Sequence, residues 1–242
     1  MAETCVICGG TGWKMVEADG LQAAEPCVCR VEQRSKRIQT RANVPDLYRD
    51  AELGNFLTQG NKRLEDAAQI ARGYAKEFPL AKAPLGLLFA GDPGSGKTHL
   101  AVGVMRRLME KGHECVFFDY QRLLEQLRSG FDPAAGGVHR EAYRTALECE
   151  VLVLDDLGAH RVTDWVEDTV AAIITHRCNH RLPLIATTNL RDSMFAENLA
   201  GDYKNYSLAE RLGQRARSRL FEMCRSVVMF GVGDYRLRRG AR

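Results

Sequence analysis

The 242-residue chain has no run of eighteen or more apolar residues, so neither a membrane-spanning helix nor a membrane partner is expected. Its opening residues, MAETCVICGG, lack a basic stretch followed by an apolar one, so no secretory signal is expected and a cytoplasmic protein is the default. There is no internal repeat and no low-complexity tract, and no histidine precedes His99. The net charge is only +3, so overall charge selects no partner. What is present is a globular composition. Apolar residues make up 45% of the chain, enough for a full core, and the length suits one substantial domain plus a small appendage.

The charge is unevenly placed. From Asn205 to Arg242 there are nine arginines against Glu210, Glu222 and Asp234. Such a segment suits either an anionic partner, nucleic acid or a neighbouring subunit's nucleotide, or a plain solvated face. The eight cysteines fall into two groups. Cys115, Cys149, Cys178 and Cys224 are scattered through apolar segments and read as small core residues. Cys5, Cys8, Cys27 and Cys29 crowd the first thirty positions.

From residue 86 the chain alternates short apolar runs with amphipathic ones. GLLFAG, ECVFFD, VLVLDDL, PLIATTN and SVVMFG read as strands apolar on both faces. Between them, KTHLAVGVMRRLMEKG, YQRLLEQLRSG, REAYRTALE, DWVEDTVAAIITHRCNHR and SLAERLGQRARSRLFEMC read as helices. A further helix is expected from about Gln59 to Phe78. Residues 31–43 look like a basic helical connector, and Pro45 bars a helix through the irregular VPDLYRDAELGNF. The pattern predicts an α/β fold with a five-stranded parallel sheet covered on both faces, whose ligands bind at the carboxyl ends of the strands.

The polar residues with chemistry fall at those ends. GDPGSGKT, Gly91 to Thr98, follows a predicted strand and opens a predicted helix, which is the context a phosphate-binding loop requires. Gly91, Gly94 and Gly96 let backbone N–H groups turn inward around a phosphate, with Asp92, Pro93, Ser95 and His99 completing the nucleotide-binding set. Lys97 reaches the β- and γ-phosphates of ATP, and the Thr98 hydroxyl ligates Mg²⁺. Asp155 and Asp156 end the third strand of the sheet. The first is expected beside Mg²⁺, and the second to orient or deprotonate the attacking water. Asn189, with Thr188, ends the fourth strand, where it is expected to hold a water or sense the γ-phosphate.

Together with LVLDDLG, ATTNL and SRLFEMC…VVMFGVGDYRLRR, the loop resembles the DnaC/IstB branch of the AAA+ ATPases over Val44 to Arg239. That branch includes helicase loaders and transposition helper ATPases. The resemblance implies that Lys97 and Thr98 are the Walker A pair, Asp155 and Asp156 Walker B, and Asn189 the sensor-1 residue. It also implies that Arg219 is an arginine finger reaching a neighbouring subunit, and Arg236 the sensor-2 arginine. Asp156, Asn189, Arg219 and Arg236 are then the expected catalytic set. Without the resemblance, Arg219 is one of four similar arginines with Arg211, Arg215 and Arg217. Many AAA+ proteins carry Asp-Glu where this chain has Asp-Asp, which fits a slow, partner-stimulated switch better than a fast motor.

Cys5, Cys8, Cys27 and Cys29 form C-x2-C, eighteen intervening residues, then C-x-C. Four thiolates suit tetrahedral Zn²⁺, and so short a segment cannot bury a core of its own; four free cysteines in a tail is the alternative. Trp13 is expected to pack beside the knuckle or to stack on a base. The resemblance supports zinc, since some loaders of this branch carry such a module ahead of a basic linker. The expected organisation is a zinc-binding module at 1–30, a linker at 31–58 and an AAA+ domain at 59–242. The expected function is ATP-driven loading of a replicative DNA helicase onto single-stranded DNA by a self-assembling ATPase. A transposase helper is the alternative. A metabolic P-loop kinase would need a substrate lid and would leave the trans-acting arginine pattern unexplained.

Overall fold

The structure, a computed structural model, describes residues 5–18, 21–30, 42–129, 138–159, 163–195 and 207–239. The basic connector expected at 31–43 lies mostly outside the described residues. The N-terminal unit contains an antiparallel pair, β1 (Trp13–Ala18) and β2 (Leu21–Pro26), in a register that sets Trp13 opposite Pro26. The sequence reading had no strands there.

The second unit is a parallel sheet built from β3 (Gly86–Gly91), β4 (Cys115–Asp119), β5 (Val151–Asp155), β6 (Leu184–Thr188) and β7 (Cys224–Met229). The spatial order is β4-β5-β6-β3-β7, and every pairing is parallel. The phosphate-loop strand β3 is therefore interior, between β6 and the edge strand β7. Seven helices are described: α1 (Lys62–Glu77), α2 (Lys97–Glu110), α3 (Tyr120–Ser129), α4 (Val138–Glu148), α5 (Asp164–Asn179), α6 (Leu208–Met223) and the short α7 (Tyr235–Arg239). The five sheet strands and all the helices expected from periodicity are present. The last helix, α7, was not expected.

Alternate strand residues feed two cores. Leu88, Val116, Leu152, Leu154 and Ala186 pack with residues of α3–α6, including Leu124, Ile174, Leu212 and Leu220. Leu87, Phe89, Phe117, Val153 and Ile185 pack with residues of α1 and α2, including Ala68, Ala71, Leu100 and Leu108. Burial of both faces explains why each strand reads as a continuous apolar run. The helices are capped as their sequences specify. Asn61 accepts from Arg63 and Leu64 N–H groups at 3.0 and 3.3 Å, and Ser207 forms a reciprocal box with Glu210. Arg177 is wholly buried. Its guanidinium donates to the carbonyls of Ala146, Cys149 and Pro183 at 3.1, 3.0 and 2.7 Å, tying the end of α4 to the entries of β5 and β6.

Residues 42–58 of the expected linker pack on the parallel-sheet unit. Ala42 and Ala51 are buried in its core, and the Ala42 carbonyl accepts from Phe117 N–H at 2.8 Å. Pro45 precedes a single 3-10 turn, Asp46–Tyr48, in keeping with the barred helix. Tyr48, Leu53 and Phe56 lie against the same core.

Candidate functional site

β3 ends in the phosphate loop and α2 begins at once after it. Gly96 caps α2 in the left-handed region at φ 96°, and a Cβ there would press on the Phe56 ring at 2.6 Å, so conformation and space both select glycine. The loop opens onto a cavity of about 880 Å³, within the range of small-ligand sites. Of the sequence-predicted residues, Pro93, Gly94, Ser95, Gly96, Lys97, Thr98, His99, Asp156, Asn189 and Arg236 line it. Gly91, Asp92 and Asp155 do not line it; Asp92 braces the loop from behind, and Asp155 is reached through Thr98. The Asp92 carboxylate accepts from Gly231 N–H at 2.7 Å and lies 3.5 Å from Arg191 Nη2. His99 lines the wall, its Nε2 2.9 Å from the Glu52 carbonyl and its ring 5.4 Å from that of Phe56.

The acids are joined to the loop by a short chain of hydrogen bonds. Thr98 Oγ1 donates to Asp155 Oδ1 at 2.9 Å, and Thr187 Oγ1 donates to the same oxygen at 2.6 Å. Thr187 Oγ1 also accepts from Asp156 N–H at 2.9 Å. Asn189 Nδ2 donates to Asp156 Oδ1 at 3.1 Å. Thr188, the expected partner of Asn189, turns the other way and donates to the Leu157 carbonyl at 2.8 Å. Asp156 adopts φ 54°, the left-handed region in which aspartate is enriched several-fold over other non-glycine residues. This is a local reason for the shorter acid at this position.

Burial pulls the Lys97 ammonium down to about 8, against the pull of Asp156, Asp155 and Asp92, and its Nζ donates to the Asp92 carbonyl at 2.9 Å. Burial likewise pushes Asp155 up to about 6; the Thr187 hydrogen bond opposes this and the neighbouring Asp156 adds to it. A buried lysine beside two acids, one of them raised, is the electrostatic pattern of a site made for anion and cation together. Ser95 Oγ is buried with no hydrogen-bond partner. The loop therefore carries an unused buried polar atom and the buried Lys97 ammonium, which together fit a nucleotide phosphate. Thr98 and Asp155, an oxygen pair already in contact, fit Mg²⁺.

Sequence reasoning missed the other wall. Tyr48, Phe56, Asn61 and Tyr235 line the same cavity. The only signal was two aromatics in an irregular stretch. Arg219 stands apart from the cavity, on α6. Its Nη1 lies 2.6 Å from Glu222 Oε2 at the helix surface. Arg217 forks onto Asp192 at 2.6 and 2.5 Å, pinning α6 to the segment after Asn189.

In the N-terminal unit the four expected cysteines converge, their Sγ atoms all within 4.8 Å of one another. Cys5 and Cys27 are 3.9 Å apart and Cys8 and Cys29 3.4 Å, close to the ~3.8 Å edge that four 2.3 Å zinc–thiolate bonds impose. The geometry fits Zn²⁺. Trp13 is 44% exposed, with the Arg30 guanidinium 4.1 Å over its ring.

An interior strand running into a phosphate loop, with a polar residue after the strand beside it and an acid pair after the next strand along, defines an AAA+ P-loop ATPase. The model of the family described as "IstB-like ATP binding protein" matches residues 30–238, and the chain belongs to that family. It is a DnaC/IstB-type AAA+ ATPase. The chain is 28% identical over 221 residues to the uncharacterized protein YqaM of Bacillus subtilis (strain 168), covering 87% of this chain and 64% of that protein. It is 22% identical over 161 residues to the replicative helicase loader DnaC of Escherichia coli (strain K12), covering 65% of this chain and 64% of that one. The match thus spans less than two thirds of either relative. A crystal structure of the DnaC helicase loader aligns with a TM-score of 0.65 at 33% identity, covering 76% of this chain and 99% of that one.

Proposed function

We propose that this protein is an ATP-dependent loader of a replicative DNA helicase, acting on single-stranded DNA through a self-assembled ring or filament of ATPase domains. The observation that carries the reading is the likeness, at 33% identity, to nearly the whole of a solved DnaC helicase loader chain. The four-thiol cluster ahead of the ATPase unit favours the loader over the transposase helper, because it gives the chain a second, separately folded surface for a protein partner.

When bound, ATP supplies the transferable γ-phosphoryl group, and Mg²⁺ held by Thr98 and Asp155 supplies charge neutralisation. Lys97 exchanges the Asp92 carbonyl for phosphate oxygens. Asp156, fixed by Asn189 and by its own backbone bond to Thr187, accepts the proton of a water in the cavity. Arg236 closes on the nucleotide from within the chain. Arg219 lies too far from its own cavity to do so and serves a neighbour's, which makes hydrolysis depend on assembly. Zn²⁺ held by Cys5, Cys8, Cys27 and Cys29 stabilises a unit too small for a core of its own.

The test is co-purification with the host replicative helicase in the presence and absence of ATP. Capture that responds to nucleotide is expected. Failure of the intact, zinc-loaded chain to capture helicase in either state, with capture of transposase-bound duplex DNA instead, would reject the loader reading in favour of the helper.

A further inference from the structure

The phosphate loop already has an anion against it, and that anion belongs to the chain. Asp234 lies in the turn between β7 and α7. The next residue, Tyr235, donates its N–H to the Gly94 carbonyl at 3.0 Å, so the turn sits directly on the loop. Gly94 has φ 74°, and a Cβ on it would overlap the Asp234 carboxylate. Only glycine leaves room for that carboxylate at this point of the loop.

The same carboxylate holds Arg236. Asp234 Oδ1 accepts from Arg236 N–H at 2.8 Å and from Arg236 Nε at 3.2 Å, and Oδ2 accepts from Arg236 Nη2 at 3.2 Å. The backbone bond is an N-cap of α7; the other two make a guanidinium–carboxylate fork. Asp234 also feels the charge of Lys97. Arg236 feels Tyr48 and Asp156 across the cavity, so its guanidinium is already within electrostatic range of the place where phosphate chemistry occurs. The Arg236 side chain is 68% exposed, so the fork is a weak, solvent-screened one that a stronger anion can break.

We propose that Asp234 is an internal anion that keeps Arg236 in reserve: the guanidinium stays forked onto Asp234 in the empty and diphosphate-bound protein, and only a γ-phosphate draws it away. The inference rests on the reading of Arg236 as the γ-phosphate sensor. Its consequence is a threshold. A triphosphate gains Arg236 but leaves the Asp234 carboxylate unpaired beside the phosphates, whereas a diphosphate leaves the fork intact. Asp234 therefore weakens triphosphate binding more than diphosphate binding, and so narrows the gap between the two.

The experiment titrates the full chain with Mg²⁺ and either ADP or a non-hydrolysable ATP analogue at fixed ionic strength, by displacement of a fluorescent nucleotide. Asp234→Asn removes the charge and retains a good N-cap, and Asp234→Ser does the same with a different shape. Both are expected to raise the ratio of triphosphate to diphosphate affinity about three- to fivefold, the scale of an exposed ion pair. In an Arg236→Ala background the same substitutions are expected to bring no gain. An unchanged or lowered ratio overturns the proposal, and so does a gain that persists without Arg236. Lys97→Ala separates this outcome from failure of the site itself: if that variant still binds both nucleotides, it is the phosphate-loop reading that fails.

Discussion

The Thr187 hydroxyl joins the two acids of the site, donating to Asp155 Oδ1 at 2.6 Å while accepting from Asp156 N–H at 2.9 Å. Thr188, its neighbour, takes no part in this contact. Thr187→Val is nearly isosteric and leaves a buried carboxylate short of a donor. A hydrogen bond to a charged group contributes ~1.5–3 kcal/mol, so turnover is expected to fall about tenfold or more while ATP binding persists. Thr188→Val is expected to cost about 1 kcal/mol of stability and little turnover. Steady-state ATPase assays with denaturation curves distinguish the two; equal effects on turnover would count against the arrangement.

The choice between Thr187 and Thr188 marks where the sequence stops being informative. In a half-exposed strand, polar and apolar alternation reveals which residues share a face. In β6 every position is buried, so LIATT has no readable phase. The same near-uniform burial is what made β3, β4, β5 and β6 easy to find; the edge strand β7 is only partly buried. Residues 42–58 were opaque for the opposite reason. They have almost no regular structure, and their packing on the domain depends on Ala42, Tyr48, Ala51 and Phe56, spaced without a period. The β1–β2 pair was legible and overlooked: Asp19-Gly20 between the two strand segments is a strong hairpin signal. The loop, the acid pair and Asn189 could be placed because each follows an apolar run directly.

The pH dependence of Asp155 has a definite sign. Its folded value, about 6, lies above the ordinary 3.8 because of burial, so the folded protein binds the proton more tightly than the unfolded chain. That contribution to stability is fully present below about pH 4 and lost as pH rises through 6, a change of about 3 kcal/mol for a shift of two units. Asp155→Asn has no such dependence. In buffer free of metal and nucleotide, the stability of the Asn variant relative to the native protein is expected to grow from pH 4 to pH 7. A difference that stays flat with pH would show that Asp155 titrates normally.

Arg219 is expected to act away from its own subunit. Its ion pair with Glu222 is exposed and solvent-screened, so Arg219→Ala is expected to fold normally and to bind ATP as the native chain does. The loss is expected only in the stimulation of hydrolysis by assembly on DNA or helicase, about a thousandfold or more for a finger acting in trans. Loss of ATP binding in the isolated chain would argue against the role.

Metal analysis is expected to give about one zinc per chain, since the four clustered thiols make a complete tetrahedral set. Changing Cys5 and Cys8 together to serine is expected to abolish zinc binding and to unfold the unit around β1 and β2, while nucleotide binding by the second unit is unaffected. A metal-free protein with that unit still folded, judged by amide exchange, would refute the zinc reading.

The strand order has a further consequence. β3 is hydrogen-bonded to β6 on one side and to β7 on the other, and each neighbour leads into residues beside the loop: Asn189 after β6, Asp234 and Arg236 after β7. Residues more than ninety positions apart in the chain are thus carried to the same end of the sheet, on strands paired directly with the one that enters the loop. On the proposed reading, a phosphate leaving that loop is expected to be felt on two sides at once, through strands hydrogen-bonded to β3. Turnover in one subunit is then expected, on the same reading, to reach both its own α6, which carries Arg219, and the acid pair that a neighbour's arginine would face.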